Sequence, residues 1–169
     1  MPGEKFLKHN GSGAFTEIES VQDGGSGGAN KVASLDANGR WASTMMPTGI
    51  GADTAMIEAS EALSAGNFIN IYADGSDFKC RKSDASTAGK EAYGFVKGAV
   101  TSGNNATVYL SGINDQVSGA TAGKAYLGTT AGGFSSTAPS ASGNVVQVLG
   151  VAVSATSISF EPTIGIKLA

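Results

Sequence analysis

Residues with catalytic or metal-binding chemistry are few and scattered along this 169-residue sequence. It has one histidine, His9, and one cysteine, Cys80, so neither a disulfide within the chain nor a cysteine-based zinc site can form. GGSGG at 24–28 matches the nucleophile pattern G-x-S-x-G. That motif needs a strained turn between a strand and a helix, and a histidine as base. Its flanks predict neither element, so we interpret the segment as a flexible Gly/Ser linker and expect no enzyme activity.

The remaining candidate groups favour structural roles. Asp74 and Asp77 lie close together in a predicted turn and have the oxygen ligands of a Ca²⁺ site, but the EF-hand pattern is absent. Aspartate in a turn commonly caps its own backbone, which is the interpretation we favour. Cys80 lies in a segment that alternates like a strand, so we interpret it as a small buried hydrophobe and not a reactive thiol. We therefore expect no metal and no cofactor.

The composition indicates a lightly packed, weakly charged protein. Gly accounts for 25 of 169 residues, aromatic residues for 7%, charged residues for 15%, and the net charge is -3. An average domain has ~7% Gly and ~25% charged residues. The eleven Lys and Arg residues are scattered singly apart from Arg81-Lys82, which disfavours a nucleic-acid partner. No apolar run approaches the ~18 residues of a membrane span and no signal peptide is recognisable, so we expect no membrane and assembly in a cytoplasm.

Residues 51–169 predict an all-β domain, a small β-sandwich or barrel-like fold, because short apolar runs alternate with turn residues. The predicted strands are 55–59, 67–72, 78–82, 93–100, 105–110, 124–128, 144–153, 156–161 and 164–168. Asp74-Gly75 predicts a hairpin turn between the second and third of them. Residues 53–63 also fit helical spacing, but the turn residues that follow favour a strand.

Residues 1–50 predict an extended, mostly irregular N-terminal arm in which only 15–19 alternates like a strand. Ordering a backbone costs ~1–2 kcal/mol per residue, and the few large side chains return ~1.5–3 kcal/mol each when buried. The arm is therefore expected to order against a partner surface; an N-terminus without a role is the alternative. We expect Trp41 to anchor the arm on a neighbouring subunit; packing of Trp41 on its own β-domain is the alternative hypothesis. The candidate partner-anchoring residues are Phe6, Leu7, Phe15, Trp41, Met45 and Met46.

Four segments carry a resemblance to known proteins. They are KVASLDANGRWASTMMPTGIGADT at 31–54, EALSAGNFINIY at 61–72, EAYGFVKGAV at 91–100 and NVVQVLGVAVSATSISFEP at 144–162. They resemble segments of tailed-bacteriophage virion structural proteins of the capsid-decoration and head-fibre type. The resemblance supplies no catalytic or binding residues.

The resemblance implies a function and partners. It implies a homo-oligomer, a trimer, that binds the major capsid protein on the outer capsid surface after assembly in the host cytoplasm, and that stabilises (cements) the virion. A tail or baseplate fibre module that contacts the host surface is the alternative. A carbohydrate-binding sandwich is disfavoured, because Tyr72, Tyr93, Tyr109 and Tyr126 fall in predicted strands, where packing is their expected use. Residues 163–168 are expected to add as an edge strand to their own sheet or to a neighbour's.

Overall fold

A computed structural model describes residues 5–22, 31–35, 39–42, 45–46 and 51–169. The chain divides into two compact units, Met1–Gly51 and Ala52–Ala169. The described residues form fourteen strands and no helix, which confirms the all-β prediction. The predicted linker at 24–28 lies outside the described residues.

The N-terminal unit contains a β-hairpin. Strands β1 (Lys5–His9) and β2 (Phe15–Glu19) pair antiparallel, with Phe6 opposite Ile18 and His9 opposite Phe15. The side-chain Oδ1 of Asn10 accepts hydrogen bonds from the N–H groups of Ser12 (2.9 Å) and Ala14 (3.2 Å), which stabilises the turn. The prediction of a strand at 15–19 is confirmed. The prediction that only this segment is regular is wrong, because β1 gains its order from pairing with β2.

The second unit begins with a closed five-stranded barrel in the order β3-β5-β4-β6-β7. Its strands are β3 (Thr54–Ala59), β4 (Phe68–Asp74), β5 (Asp77–Lys82), β6 (Gly94–Val96) and β7 (Asn105–Tyr109). β3 pairs in parallel with β5 at Glu58 and Ala59, and the other pairs are antiparallel. The strand interpretation of residues 55–59 is confirmed over the helical alternative. The barrel core consists of Ala59, Leu63, Ile69, Cys80, Val96, Ala106 and Val108.

A five-stranded antiparallel sheet follows in the order β10-β9-β12-β13-β8. Its strands are β8 (Gly112–Asn114), β9 (Gly123–Leu127), β10 (Phe134–Ser135), β12 (Val148–Ser154) and β13 (Ser157–Phe160). A two-stranded sheet pairs β11 (Val145–Val146) with β14 (Ile166–Lys167). Of the predicted strands, 93–100 shortens to β6 and 144–153 divides into β11 and β12, whereas β8 and β10 were not predicted.

A second core lies between the barrel and this sheet. Phe68 and Phe95 are register partners on β4 and β6 and point away from the barrel interior, because Ile69 and Val96 beside them point into it. Their rings lie 5.7 Å and 5.6 Å from the ring of Phe160 on β13. The barrel therefore has a filled interior and an apolar outer side that the sheet covers.

Gly150 permits the close approach of β12 and β13. It has φ +143°, and a Cβ there would lie 1.8 Å from the carbonyl oxygen of Ser159. The β9–β12 register also shifts between Val148 and Gly150, as at a β-bulge. Only glycine fits this position without a backbone shift.

Candidate interaction surfaces

The hairpin of the N-terminal unit carries apolar side chains on both faces. Because strand residues alternate, Phe6 and Ile18 lie on one face, and Leu7 and Phe15 on the other. Leu7 is 70% exposed, and Phe6 and Phe15 are exposed as well. The hairpin thus divides the predicted anchoring residues between two surfaces.

The polar groups of the hairpin are solvated. Lys5 Nζ lies 2.9 Å from Glu17 Oε2, with both side chains exposed. An exposed pair of this kind contributes at most about 1 kcal/mol. His9, the only histidine, packs edge-on against Phe15 with ring centroids 5.6 Å apart, and its Nδ1 accepts a hydrogen bond from the N–H of Gly11 (3.1 Å).

The rest of the N-terminal unit also exposes large apolar side chains. Trp41 is 53% exposed, Met46 is exposed, and Met45 is half-buried. None of the described residues among 5–46 is fully buried. The described part of this unit therefore leaves the predicted anchoring residues exposed or half-buried.

On the barrel, one of the two turn aspartates, Asp74, takes part in a salt-bridge network. Asp74 and Asp77 close the β4–β5 hairpin around Gly75-Ser76, as the sequence predicts. Lys79 Nζ lies 2.8 Å from Asp74 Oδ2 and 3.4 Å from Glu58 Oε1. The hydrogen bond to Asp74, its negative charge and that of Glu58 raise the pKa of Lys79.

The basic pair Arg81-Lys82 is also engaged within the barrel. Arg81 donates from Nε to Asn70 Oδ1 (2.9 Å) and from Nη2 to the carbonyl oxygen of Gly89 (3.1 Å), with its guanidinium 4.3 Å from the ring centroid of Tyr72. Lys82 Nζ lies 4.0 Å from Glu61 Oε2. Both cations therefore bind groups of the second unit itself.

Cys80 is fully buried in the barrel, as predicted. Its Sγ lies 3.7 Å from the carbonyl oxygen of Ile57. Burial raises the pKa of this thiol to about 11. The group is therefore protonated and inert as a nucleophile at neutral pH.

The four tyrosines have different environments. Tyr72 lies under Arg81, Tyr109 stacks on Phe95 with ring centroids 5.3 Å apart, and Tyr126 is half-buried in β9. Tyr93 is exposed and precedes β6, so the prediction that it lies in a strand is wrong. Three of the four rings therefore have packing roles, and one is available at the surface.

Two further exposed apolar surfaces were not predicted. On the outer face of the second sheet, Lys124, Val151, Ser159 and Ile113 form one cross-strand row, in which Val151 and Ile113 are exposed. On the barrel, Phe78 is 73% exposed beside the β4–β5 turn. Alternation in the sequence indicates which residues share a face, but not which face another element covers.

The C-terminal segment forms a groove with the body of the second unit. The groove has a volume of about 440 Å³ and is lined by Glu91, Ala92, Tyr93, Gln147, Pro162, Thr163, Ile164 and Gly165. Gln147 holds it together: its Oε1 accepts from the N–H of Ala92 (2.8 Å), and its Nε2 donates to the carbonyl oxygens of Ala92 (2.9 Å) and Thr163 (3.0 Å).

No protein-family model, curated protein or solved structure matches this chain. Within the described ranges, no helix is long and apolar enough to cross a membrane. Nor do three or more His, Cys, Asp or Glu residues of those ranges group so as to hold a metal ion.

Proposed function

We propose that this chain is a non-enzymatic structural subunit of a tailed-phage virion that decorates the outer capsid surface and stabilises it. The observation that carries the proposal is the N-terminal unit, whose described residues expose Leu7, Phe15, Trp41 and Met46 while none of them is fully buried. Side chains of this kind gain most by burial against another protein. The resemblance to decoration and head-fibre proteins supplies the partner, the major capsid protein.

The energetics favour an anchoring role for this unit. A large apolar side chain contributes about 1.5–3 kcal/mol when fully buried, so each exposed anchor that is covered strengthens the contact with another protein. A subunit that binds only the assembled capsid stabilises that state by mass action. The cementing activity therefore follows from selective binding and needs no chemistry.

The second unit suits a rigid, displayed body. It has two filled cores, and its cations Lys79, Arg81 and Lys82 bind groups of the same unit. The resemblance implies that the copies form a trimer on the virion.

A tail or baseplate fibre module is the second candidate. The exposed ring of Phe78 beside the β4–β5 turn favours it, because an exposed aromatic side chain on the body is a suitable contact for a host surface. In that case the N-terminal unit would attach to the tail, and the body would bind the host.

Matched substitutions of one exposed aromatic residue in each unit test the proposal. Trp41→Ser is expected to weaken binding to empty mature capsids of the encoding phage at least tenfold, which corresponds to about 1.4 kcal/mol. Phe78→Ser, the control, should bind as the wild type does. Co-sedimentation across a concentration series measures both. Tight binding by Trp41→Ser together with loss of binding by Phe78→Ser would contradict anchoring through the N-terminal unit.

A further inference from the structure

The strand β14 leaves one backbone edge open. The N–H of Leu168 donates to the carbonyl oxygen of Asn144 (2.8 Å), and Lys167 stands opposite Val145. Because backbone groups alternate in direction along an antiparallel strand, Ile166 and Leu168 bond toward β11, and Gly165 and Lys167 direct their N–H and C=O groups away from it. No strand in residues 51–169 pairs with that side. An edge of this kind is a template for another strand.

We propose that this edge pairs with the same edge of a second copy of the chain, antiparallel, about a two-fold axis at Ile166. In this register Gly165 stands opposite the partner's Lys167, and Lys167 opposite the partner's Gly165. These are the residues whose backbone groups point outward, so the two pairs exchange four hydrogen bonds. The result is a continuous sheet in the order β11-β14-β14-β11.

The outer face of the paired strands is apolar. Ile164 is 90% exposed and Ile166 is 67% exposed. The proposed extension of the strand pairing to Ile164 places both on the same face, because they are two residues apart. The proposed register places Ile166 opposite the partner's Ile166, and Ile164 opposite the partner's Leu168. Two isolated apolar strand ends thus form one stripe across the two-fold axis.

Charge complementarity on the opposite face selects a second copy as the occupant. A Cβ on Gly165 would lie 2.7 Å from Glu91 Cγ, so the side chain of Glu91 extends over this glycine. The proposed register brings the partner's Lys167 opposite Gly165 on that same face, at the C-terminal groove. Neither Glu91 nor Lys167 belongs to an ion pair within the described ranges. Because the pairing is two-fold, the contact between Glu91 of one copy and Lys167 of the other forms twice.

Self-pairing also avoids like-charge contacts. Lys167 is the only charged residue of the segment 163–168, and in this register it faces a glycine and not another lysine. The pairing is two-fold and links copies pairwise, whatever other contacts join them. It rests on the contacts of the second unit alone and is independent of the proposed capsid role.

Charge reversal tests the inference with purified full-length protein. Analytical ultracentrifugation is expected to show a lower mass for Lys167→Glu and Glu91→Lys than for the wild type, because each variant weakens the pairwise association at least tenfold. The double variant, Glu91→Lys with Lys167→Glu, should recover the wild-type mass because the opposite charges meet again. Lys124→Glu, which reverses an exposed lysine on the second sheet, is the control and should keep the wild-type mass.

The outcomes that overturn the inference are equally specific. A wild-type chain that stays monomeric at a concentration of about 1 mM would do so. So would single variants that associate as tightly as the wild type, or a double variant that associates no better than the single variants. Circular dichroism melting curves of all variants separate lost association from lost folding. Since no capsid is present in the experiment, its failure leaves the proposed capsid role standing.

Discussion

The ionisation of the Cys80 thiol depends on its position inside the barrel. The side chain, on strand β5, is fully buried in the barrel core, and burial raises its pKa from 9.0 to about 11. Between these two values the unfolded chain releases the thiol proton and the folded chain retains it. Rising pH therefore favours the unfolded state. The stability that the protonated thiol contributes to the folded state is fully present below pH 9 and is lost as the pH rises through the folded pKa.

This linkage predicts a pH-dependent difference from a variant without the thiol. From pH 8 to pH 10.5, the wild type should lose about 2 kcal/mol of unfolding free energy relative to Cys80→Ala. Urea unfolding of both proteins at the two pH values measures the change, and the pair at pH 6 and pH 8 is the control, where no change is expected. A constant difference up to pH 10.5 would show that the thiol is not held protonated by the fold.

At this scale the sequence predicts burial better than exposure. Alternation around Cys80 was sufficient to place it in the core, and the Asp74-Gly75 dipeptide was sufficient to place a turn. The sequence predicts a strand over residues 93–100, yet the ladder begins at Gly94 and leaves Tyr93 outside it. Whether a terminal residue of such a run joins the ladder depends on its neighbours in the fold, which alternation does not specify.

At the scale of elements, Gln147 is one of the residues that hold the C-terminal segment against the body. It lies between β11 and β12, is buried, and makes three hydrogen bonds to the backbone of Ala92 and Thr163. The bond to Thr163, together with two hydrogen bonds between Thr163 and the backbone of Val148, ties the segment before β14 to the body. A buried backbone group that loses its partner costs about 1–3 kcal/mol, so this side chain has a large effect.

Gln147→Met, which keeps the length of the side chain and removes its hydrogen bonds, should therefore lower the unfolding free energy by at least about 2 kcal/mol. Hydrogen exchange at Ala92 should accelerate as well. Gln116→Met is the matched control, because Gln116 is exposed, and should change stability by less than about 0.5 kcal/mol. Equal stability of the two variants in urea unfolding would contradict the role assigned to Gln147.

The two strands that the sequence did not predict, β8 and β10, are too short to show a recognisable alternating pattern. β10 has two residues, and β8 has three, one of them a glycine with φ +103°, so both owe their conformation to pairing with β9 and β13. The strand at 164–168 was predicted, but its pairing was left open between its own sheet and a neighbour's. Its register with β11 joins residues about twenty positions apart and follows from packing, not from local pattern.

At the scale of the whole molecule, the two units differ in how they use apolar side chains. The second unit buries them in two cores, whereas the described part of the N-terminal unit has no fully buried residue and exposes Trp41 and Leu7. This contrast is the basis for assigning attachment to the first unit and display to the second. The composition indicated it, because the large side chains of residues 1–50 are too few for a core of their own.

The central claim is that this chain binds the assembled capsid, and the most direct test is its binding stoichiometry. Purified protein is added to empty mature capsids and, in parallel, to unassembled capsid protein, and the bound copies are counted after sedimentation. We expect saturable binding to capsids at a multiple set by the capsid lattice, little binding to free capsid protein, and a higher melting temperature of the decorated particle. Failure to bind capsids, with a few copies found only in tail fractions, would contradict the account and favour the fibre alternative.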